Sequence, residues 1–326
     1  MPEVRVDPLT GLKAIVAGER AGRPGGELSA AAAEPIDPAR DPFLEGHEDR
    51  TPPEVYAVRH DGAGADMPGW SVRVVPNLYP ALEPGGREPA PEAHPDLFSA
   101  SPARGAHEVI VNAPDPVVSL GQLRVEQVEG AMQAWRARMR AHARAAYVHL
   151  IVNERREAGA SLPHTHAQLY ALEFVPAGIA RERERFGAHA TRTMGSNLLG
   201  DLVQEEVRRR ERLVAVDEDA VLMAPFGARL PYQLMLAPRR PRARFEEDGP
   251  TGAGLVHDAL NRLARRFGGP PPLNLWVRTA PRGADHFCWR IDIIPRLTHL
   301  AGLELGAGVH LNVVAPERCA AELRDA

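Results

Sequence analysis

The chain has 326 residues and a mass of 35.5 kDa, enough for about two domains with buried cores. Hydrophobic residues make up 44% and charged residues 25%, which is globular usage, and neither an apolar run of ~18 residues nor an apolar signal core at the N-terminus is present. A membrane span and a secretory leader are therefore not expected. The net charge of −4, with basic and acidic residues intermixed, lacks the positive stripe on which non-specific nucleic-acid binding relies. Two cysteines, Cys288 and Cys319, exclude a disulfide scaffold and any C-x-x-C zinc or redox motif, so a reducing cytoplasm is the expected compartment. Lys13 is the only lysine, which leaves no Walker-type phosphate loop and no plausible Schiff-base lysine.

Residues 21–53 and 82–106 are rich in Pro, Gly, Ala and charge, and read as long surface loops able to fold over a site. Short runs at 54–60, 70–76, 108–112, 148–153 and 167–172 alternate apolar and polar residues as half-buried strands of an antiparallel sheet do. From 119 to about 142, Leu120, Leu123, Val125, Val128, Met132, Trp135 and Met139 recur at helical spacing, which predicts one amphipathic helix on that sheet. A charged helical stretch at 176–212 follows. Strands are then expected at 213–224, 233–237, 273–279, 286–295 and 309–315, with a helix at 252–267. The order of the first half thus recurs in the second, which an internal duplication explains most simply.

The densest polar constellation is N-E-R-R-E-A-G-A-S-L-P-H-T-H-A-Q at 153–168. If 162–170 is extended, His164, His166 and Gln168 share one face, where three polar groups on an otherwise apolar strand are costly to bury without a task. Gly159, Ala160 and Ser161 form a small-residue turn whose amides and hydroxyl can approach an anion. A neutral imidazole there can attack phosphorus, and the glutamine amide can donate to a non-bridging phosphate oxygen as charge develops. The competing structural reading makes these histidines members of a satisfied polar seam or ligands of a structural metal.

These residues resemble the active-site segment of the galactose-1-phosphate uridylyltransferases, a branch of the histidine-triad superfamily. The likeness extends over nearly the whole chain, through D-P-L-T-G at 7–11, E-R-A-G-R-P at 19–24, G-H-E-D-R-T-P-P-E at 46–54, R-V-V-P-N-L-Y-P-A-L at 73–82, G-A-H-E-V-I-V at 105–111 and A-G-L-E-L-G at 301–306. It implies an α+β fold of two tandem histidine-triad-like halves, each an antiparallel sheet with packed helices: a catalytic half at 1–175 and a degenerate half at 176–326. It also implies double displacement, in which His166 attacks the α-phosphorus of a nucleotide sugar, releases a sugar 1-phosphate, and passes the nucleoside monophosphate, UMP being favoured, to a second sugar 1-phosphate. By the same matching His164 and Gln168 are catalytic, Gln168 stabilises the α-phosphate, and Asn153, Gly159 and Ser161 form the phosphate-contacting segment. Asn77 holds the nucleoside, Arg20 and Arg23 approach the diphosphate from a neighbouring subunit of a homodimer, and Glu304 lies near the sugar.

Two departures from the family stand out. A zinc site in many members uses C-P-x-C, a histidine after Pro-Asp, and the first histidine of H-x-H. Here Asp41 and Leu44 occupy the cysteine positions and Pro116 the histidine position, so only His164 survives and no zinc is expected, unless Asp41, His47 and His107 rebuild a site. The second-half strand, H-x-H-x-H in relatives, runs His286-Phe287-Cys288-Trp289-Arg290-Ile291-Asp292, where Arg290 would repel a cation. Cys288 then reads as an inert buried thiol. The rival readings are a nucleotide-sugar phosphorylase or hydrolase that uses phosphate or water as acceptor, and a nucleotide-binding protein without turnover.

Overall fold

Alternation along the central strands decides the layering. In β6 (Tyr147–Glu154), Val148, Leu150 and Val152 are buried in the main core, while His149, Ile151 and Asn153 lie half-buried on the opposite face. The computed structural model describes residues 1–22, 28–59, 62–86 and 97–326.

Ten strands form one sheet, in the spatial order β3 (Tyr56–Arg59), β4 (Trp70–Pro76), β5 (Gly105–Val111), β7 (His166–Leu172), β6, β11 (Leu273–Arg278), β12 (Arg290–Pro295), β10 (Leu234–Pro238), β9 (Ala220–Met223) and β8 (Leu213–Val216). All neighbours are antiparallel. The order is a mirror: five strands of the first half meet five of the second at the β6–β11 pair, where Asn153 stands opposite Asn274. Two tandem antiparallel halves are present, as the sequence suggests, and their sheets join into one. The strands at the seam pair edge to edge, which leaves neither exposed.

Helices α1 (Val125–Ala141) and α4 (Ala253–Phe267) cover one face, and α6 (Pro316–Arg324) packs against α4 and β8. From α1, Val128, Met132, Trp135 and Met139 reach the core that Leu150 and Leu169 enter from the sheet. Both leucines are fully buried, so truncating either to alanine should cost about 2–5 kcal/mol. On the other face, α2 (Ala177–Thr193) and α3 (Leu198–Arg209) cover only the second half, where Phe186, Leu198, Leu199 and Val203 pack on Val221, Met223, Met235 and Ala237. The matching face of the first half carries a smaller cluster of Phe43, Trp70, Val75, Val109 and Val111. A separate three-stranded sheet joins β1 (Glu3–Val6), β2 (Lys13–Val16) and β13 (His310–Asn312). The short helix α5 (Gly302–Ala307) precedes β13.

Several expected elements are divided or shortened. The strand expected at 213–224 is the hairpin β8–β9, because Asp217 turns the chain by accepting from the backbone N–H groups of Asp219 and Ala220. The helical stretch at 176–212 breaks at Met194 and Gly195, both at positive φ. The strand expected from 286 begins only at Arg290, since the carbonyls of His286 and Phe287 accept from the side-chain amide of Asn197, the N-cap of α3. His60, expected to end the first strand, lies outside the described residues. Among the described residues no helix is long and apolar enough to cross a membrane.

Candidate active site

His166 is the first residue of β7, and its side chain shares the open face of the first half with Gln168 and Tyr170. The approach to it is held rigidly. Thr165 donates its N–H to the Val117 carbonyl (2.8 Å) and accepts at its own carbonyl from the N–H of Asn112 (3.3 Å). Asn112 Nδ2 donates to Thr165 Oγ1 (3.2 Å), and Trp135 Nε1 of α1 donates to Asn112 Oδ1 (3.0 Å), so the helix layer anchors the H-T-H segment through the sheet.

The His166 imidazole is oriented from behind. Its Nδ1–H donates to the carbonyl of His164 at 2.8 Å, which leaves Nε2 as the lone-pair nitrogen, with no hydrogen-bond partner among the described residues. Burial lowers its pKa against the opposing pull of that carbonyl, so the ring stays neutral and nucleophilic.

Gln168 is oriented by His107, offered by the sequence only as a ligand of a rebuilt metal site, and by Tyr170, which sequence reasoning missed. The Ala81 N–H donates to His107 Nδ1 (3.1 Å), so the proton of this imidazole sits on Nε2, which donates to Gln168 Oε1 at 3.0 Å. Burial lowers the pKa of His107 and keeps it neutral. The Tyr170 hydroxyl donates to the same oxygen at 2.9 Å, and the Tyr170 ring stacks on His107 with centroids 4.2 Å apart. With Oε1 doubly engaged, the Gln168 amide nitrogen is the group left to donate to a ligand. Both residues were legible in principle: Tyr170 continues the i+2 series from His166, and His107 pairs with it across β5.

The remaining expected residues divide. Asn77 Oδ1 accepts from the Tyr79 N–H at 2.9 Å, and its Nδ2 lies 3.1 Å from His107 Nε2, beside the Gln168 network. Asn153, on the same face as His166, accepts at Oδ1 from Asn274 Nδ2 of the second half (2.8 Å). Gly159 sits at φ +92°, a conformation that favours glycine, close to the Asn153 amide. Two amides of the expected anion cradle are already committed, that of Ala160 to the Arg155 carbonyl and that of Gly159 to the Arg156 carbonyl. Ser161 is exposed and lines a cleft with Arg155, Arg156 and residues 31–35, so part of the Pro- and Ala-rich segment does fold beside the site. Arg20 is exposed on the turn after β2 and makes no side-chain hydrogen bond among the described residues, and Arg23 lies outside them. Glu304 accepts from the N–H groups of Ala301 (2.9 Å) and Leu311 (3.3 Å) and so caps α5.

The residues at the family's zinc position do not suit a cation. Leu44 and Pro116 offer no donor atom, and both nitrogens of His164 are already engaged, Nδ1 with Asp41 Oδ2 at 2.7 Å and Nε2 with the Ala113 carbonyl at 2.8 Å. The rebuilt site is not assembled either. His47 Nδ1 bonds the Asp41 carbonyl, while His107 is committed to the Gln168 network. In the second half, Arg290 is the first residue of β12, as His166 is of β7, and Asp292 stands where Gln168 does. Arg290 Nη1 donates to Glu182 Oε2 of α2 at 2.9 Å and Nε to Asp292 Oδ2 at 3.1 Å, so a guanidinium fills the place a metal would need. Burial pushes the Cys288 thiol up to about 12, which makes it unreactive.

Comparison with known proteins places this fold and site in a family. Residues 1–176 match the family model of the galactose-1-phosphate uridyl transferase N-terminal domain, and residues 116–325 match a domain of unknown function (DUF4921). The chain belongs to the galactose-1-phosphate uridyl transferase family and is an enzyme of it. An ADP-glucose phosphorylase of Arabidopsis thaliana is 26% identical over 99% of this chain and 93% of its own length. A galactose-1-phosphate uridylyltransferase of Rattus norvegicus is 30% identical over 76% of this chain and 69% of its own length. The crystal structure of an Arabidopsis thaliana ADP-glucose phosphorylase with bound ADP-glucose superposes with a TM-score of 0.83 at 25% identity, covering 100% of this chain and 99% of that one.

Proposed function

We propose that the enzyme transfers a nucleoside monophosphate from a nucleotide sugar to a sugar 1-phosphate through a covalent nucleotidyl-His166. The observation that carries this is the Nδ1–H bond to the His164 carbonyl, which presents the Nε2 lone pair of a neutral, buried ring. Nε2 attacks the α-phosphorus, the N–P bond forms, and the P–O bond to the departing sugar 1-phosphate breaks with its electron pair. The Gln168 amide donates to a non-bridging oxygen as charge builds there. A phosphate oxygen of the acceptor then attacks the same phosphorus and restores the free imidazole.

UMP is the group favoured by the uridylyltransferase relatives. A second reading takes inorganic phosphate as acceptor and an ADP-sugar as donor, and is favoured by the ADP-glucose phosphorylase that matches nearly the whole chain. In either case residues 1–175 carry the chemistry and 176–326 are silent in it, and a homodimer gives the exposed Arg20 turn a neighbouring site to reach. The test is isotope exchange: labelled sugar 1-phosphate should enter the nucleotide sugar with no second acceptor present. Product analysis with UDP- and ADP-sugars and either acceptor then separates the two readings. Absence of exchange with every donor would refute the covalent route.

A further inference from the structure

The orienting carbonyl of His164 is only as fixed as His164 itself, and what fixes His164 is a residue distant in sequence. Asp41 lies in the Pro- and Ala-rich loop, yet its side chain is 1% exposed and that of His164 is 0% exposed, with Oδ2 and Nδ1 2.7 Å apart. The other Asp41 oxygen accepts from the Phe43 N–H at 2.9 Å, and the Asp41 carbonyl is bonded by His47 Nδ1 at 2.7 Å, so the carboxylate is held from its own side as well. Phe43 then packs its ring edge-on to both histidines, with centroids 6.2 Å from His164 and 5.2 Å from His166. Together with the Ala113 carbonyl on Nε2, these contacts leave His164 neither a free nitrogen nor room to rotate. Two buried groups are thus joined in a pair that would be expensive to leave half-made.

We propose that Asp41 is a positioning residue for nucleotidyl transfer, and that the Asp41–His164 pair replaces a structural metal as the device that holds the nucleophile's tautomer. Its kinetic part rests on the reading of His166 as the nucleophile. Asp41 touches no reacting atom. It fixes the His164 ring, the ring fixes the backbone between Pro163 and Thr165, and the His164 carbonyl keeps the proton of His166 on Nδ1. Loosening the chain lets His166 carry its proton on either nitrogen, and only one of the two neutral forms can attack phosphorus.

The test uses the full-length wild type, Asp41→Ala and Asp41→Asn. The asparagine oxygen can still accept from His164 Nδ1, so Asp41→Asn is the conservative variant and guards against a misfolded alanine variant. The first readout is the single-turnover rate of nucleotidyl-enzyme formation alongside donor affinity. Asp41→Ala should slow the step about 10–100-fold with donor Kd changed less than about 3-fold, and Asp41→Asn should recover most of the rate. The second is 15N NMR of labelled histidines, which needs no turnover: His166 should be protonated at Nδ1 in wild type and Asp41→Asn, and should show mixed tautomers in Asp41→Ala. The third is metal content, expected far below one zinc per chain, with activity unmoved by a chelator. A wild-type rate and unchanged tautomer in Asp41→Ala would overturn the proposal, as would stoichiometric zinc whose removal abolishes activity. If the wild type forms no covalent adduct with any donor, the functional reading fails, and the tautomer measurement alone decides the role of Asp41.

Discussion

The two halves of the sheet occupy mirrored places and present matching strands, yet only one is arranged for chemistry. In β7, His166 and Gln168 each have one polar atom held from behind and one left for a ligand. In β12, Arg290 and Asp292 turn on each other, Glu182 of α2 holds Arg290, and Trp276 Nε1 donates to Asp292 at 2.9 Å. Over the second half, α2 and α3 pack on this face and α2 supplies Glu182 to Arg290, whereas among the described residues no α-helix packs on this face of the first half. A repeated fold therefore carries a site where its polar groups keep an uncommitted atom, and becomes scaffold where they turn on one another.

The contrast is broken most severely by removing the nucleophile. His166→Gly should lower transfer on the order of 10⁴-fold or more while the melting temperature shifts by only a few degrees, as activity assays and calorimetry would show. In the second half the expectation is reversed. Arg290→Met takes the nearer cation from the buried Glu182 and Asp292, leaving them Arg278 at 3.6 and 3.9 Å, and should cost about 3–5 kcal/mol in denaturant unfolding. At a temperature where that variant stays folded, its nucleotidyl-forming rate should match wild type. A lost rate with unchanged stability would mean that the second half takes part in the chemistry.

Smaller effects sharpen the account within the first half. Gln168→Ala should lower kcat about 10²-fold by removing one phosphate-oxygen donor, and Tyr170→Phe, which only loosens the Gln168 oxygen, should cost about 10-fold or less. The pH profile tests the burial of His166. Its pKa lies below the ordinary 6.5, so the neutral ring persists in mild acid and the acid limb of kcat/KM falls below that value. The same shift means that the unfolded chain binds the proton more readily. Below 6.5 the contribution of His166 to stability should therefore weaken as pH falls, and a His166→Gln variant should show a flatter dependence there.

Much of the site was legible because period-two alternation puts His166 and Gln168 on one face whatever the strand pairs with. The helix through Trp135 was legible for the same kind of reason, since its apolar residues repeat with the helical period. The union of the two sheets was not, because edge pairing between β6 and β11 is a matter of backbone hydrogen bonds that side-chain pattern does not encode. The contact of Asp41 with His164 was hidden by its setting in a Pro- and Ala-rich loop, 123 residues before the histidine it meets. Glu304 was assigned by motif to the sugar, whereas here its carboxylate caps α5. The phosphate turn was misjudged in detail, since small residues permit close approach but do not reveal that the Gly159 and Ala160 amides already have carbonyl partners.

The central claim is that His166 Nε2 becomes covalently nucleotidylated, and intact-protein mass spectrometry tests it most directly. The enzyme would be incubated with UDP-, ADP-, GDP- and TDP-sugars and quenched at alkaline pH, where a phosphoramidate survives. The account predicts an added mass of one nucleoside monophosphate with the preferred donor, absent in His166→Gly. An adduct that persists in His166→Gly, or turnover of a donor with no adduct ever trapped, would contradict it.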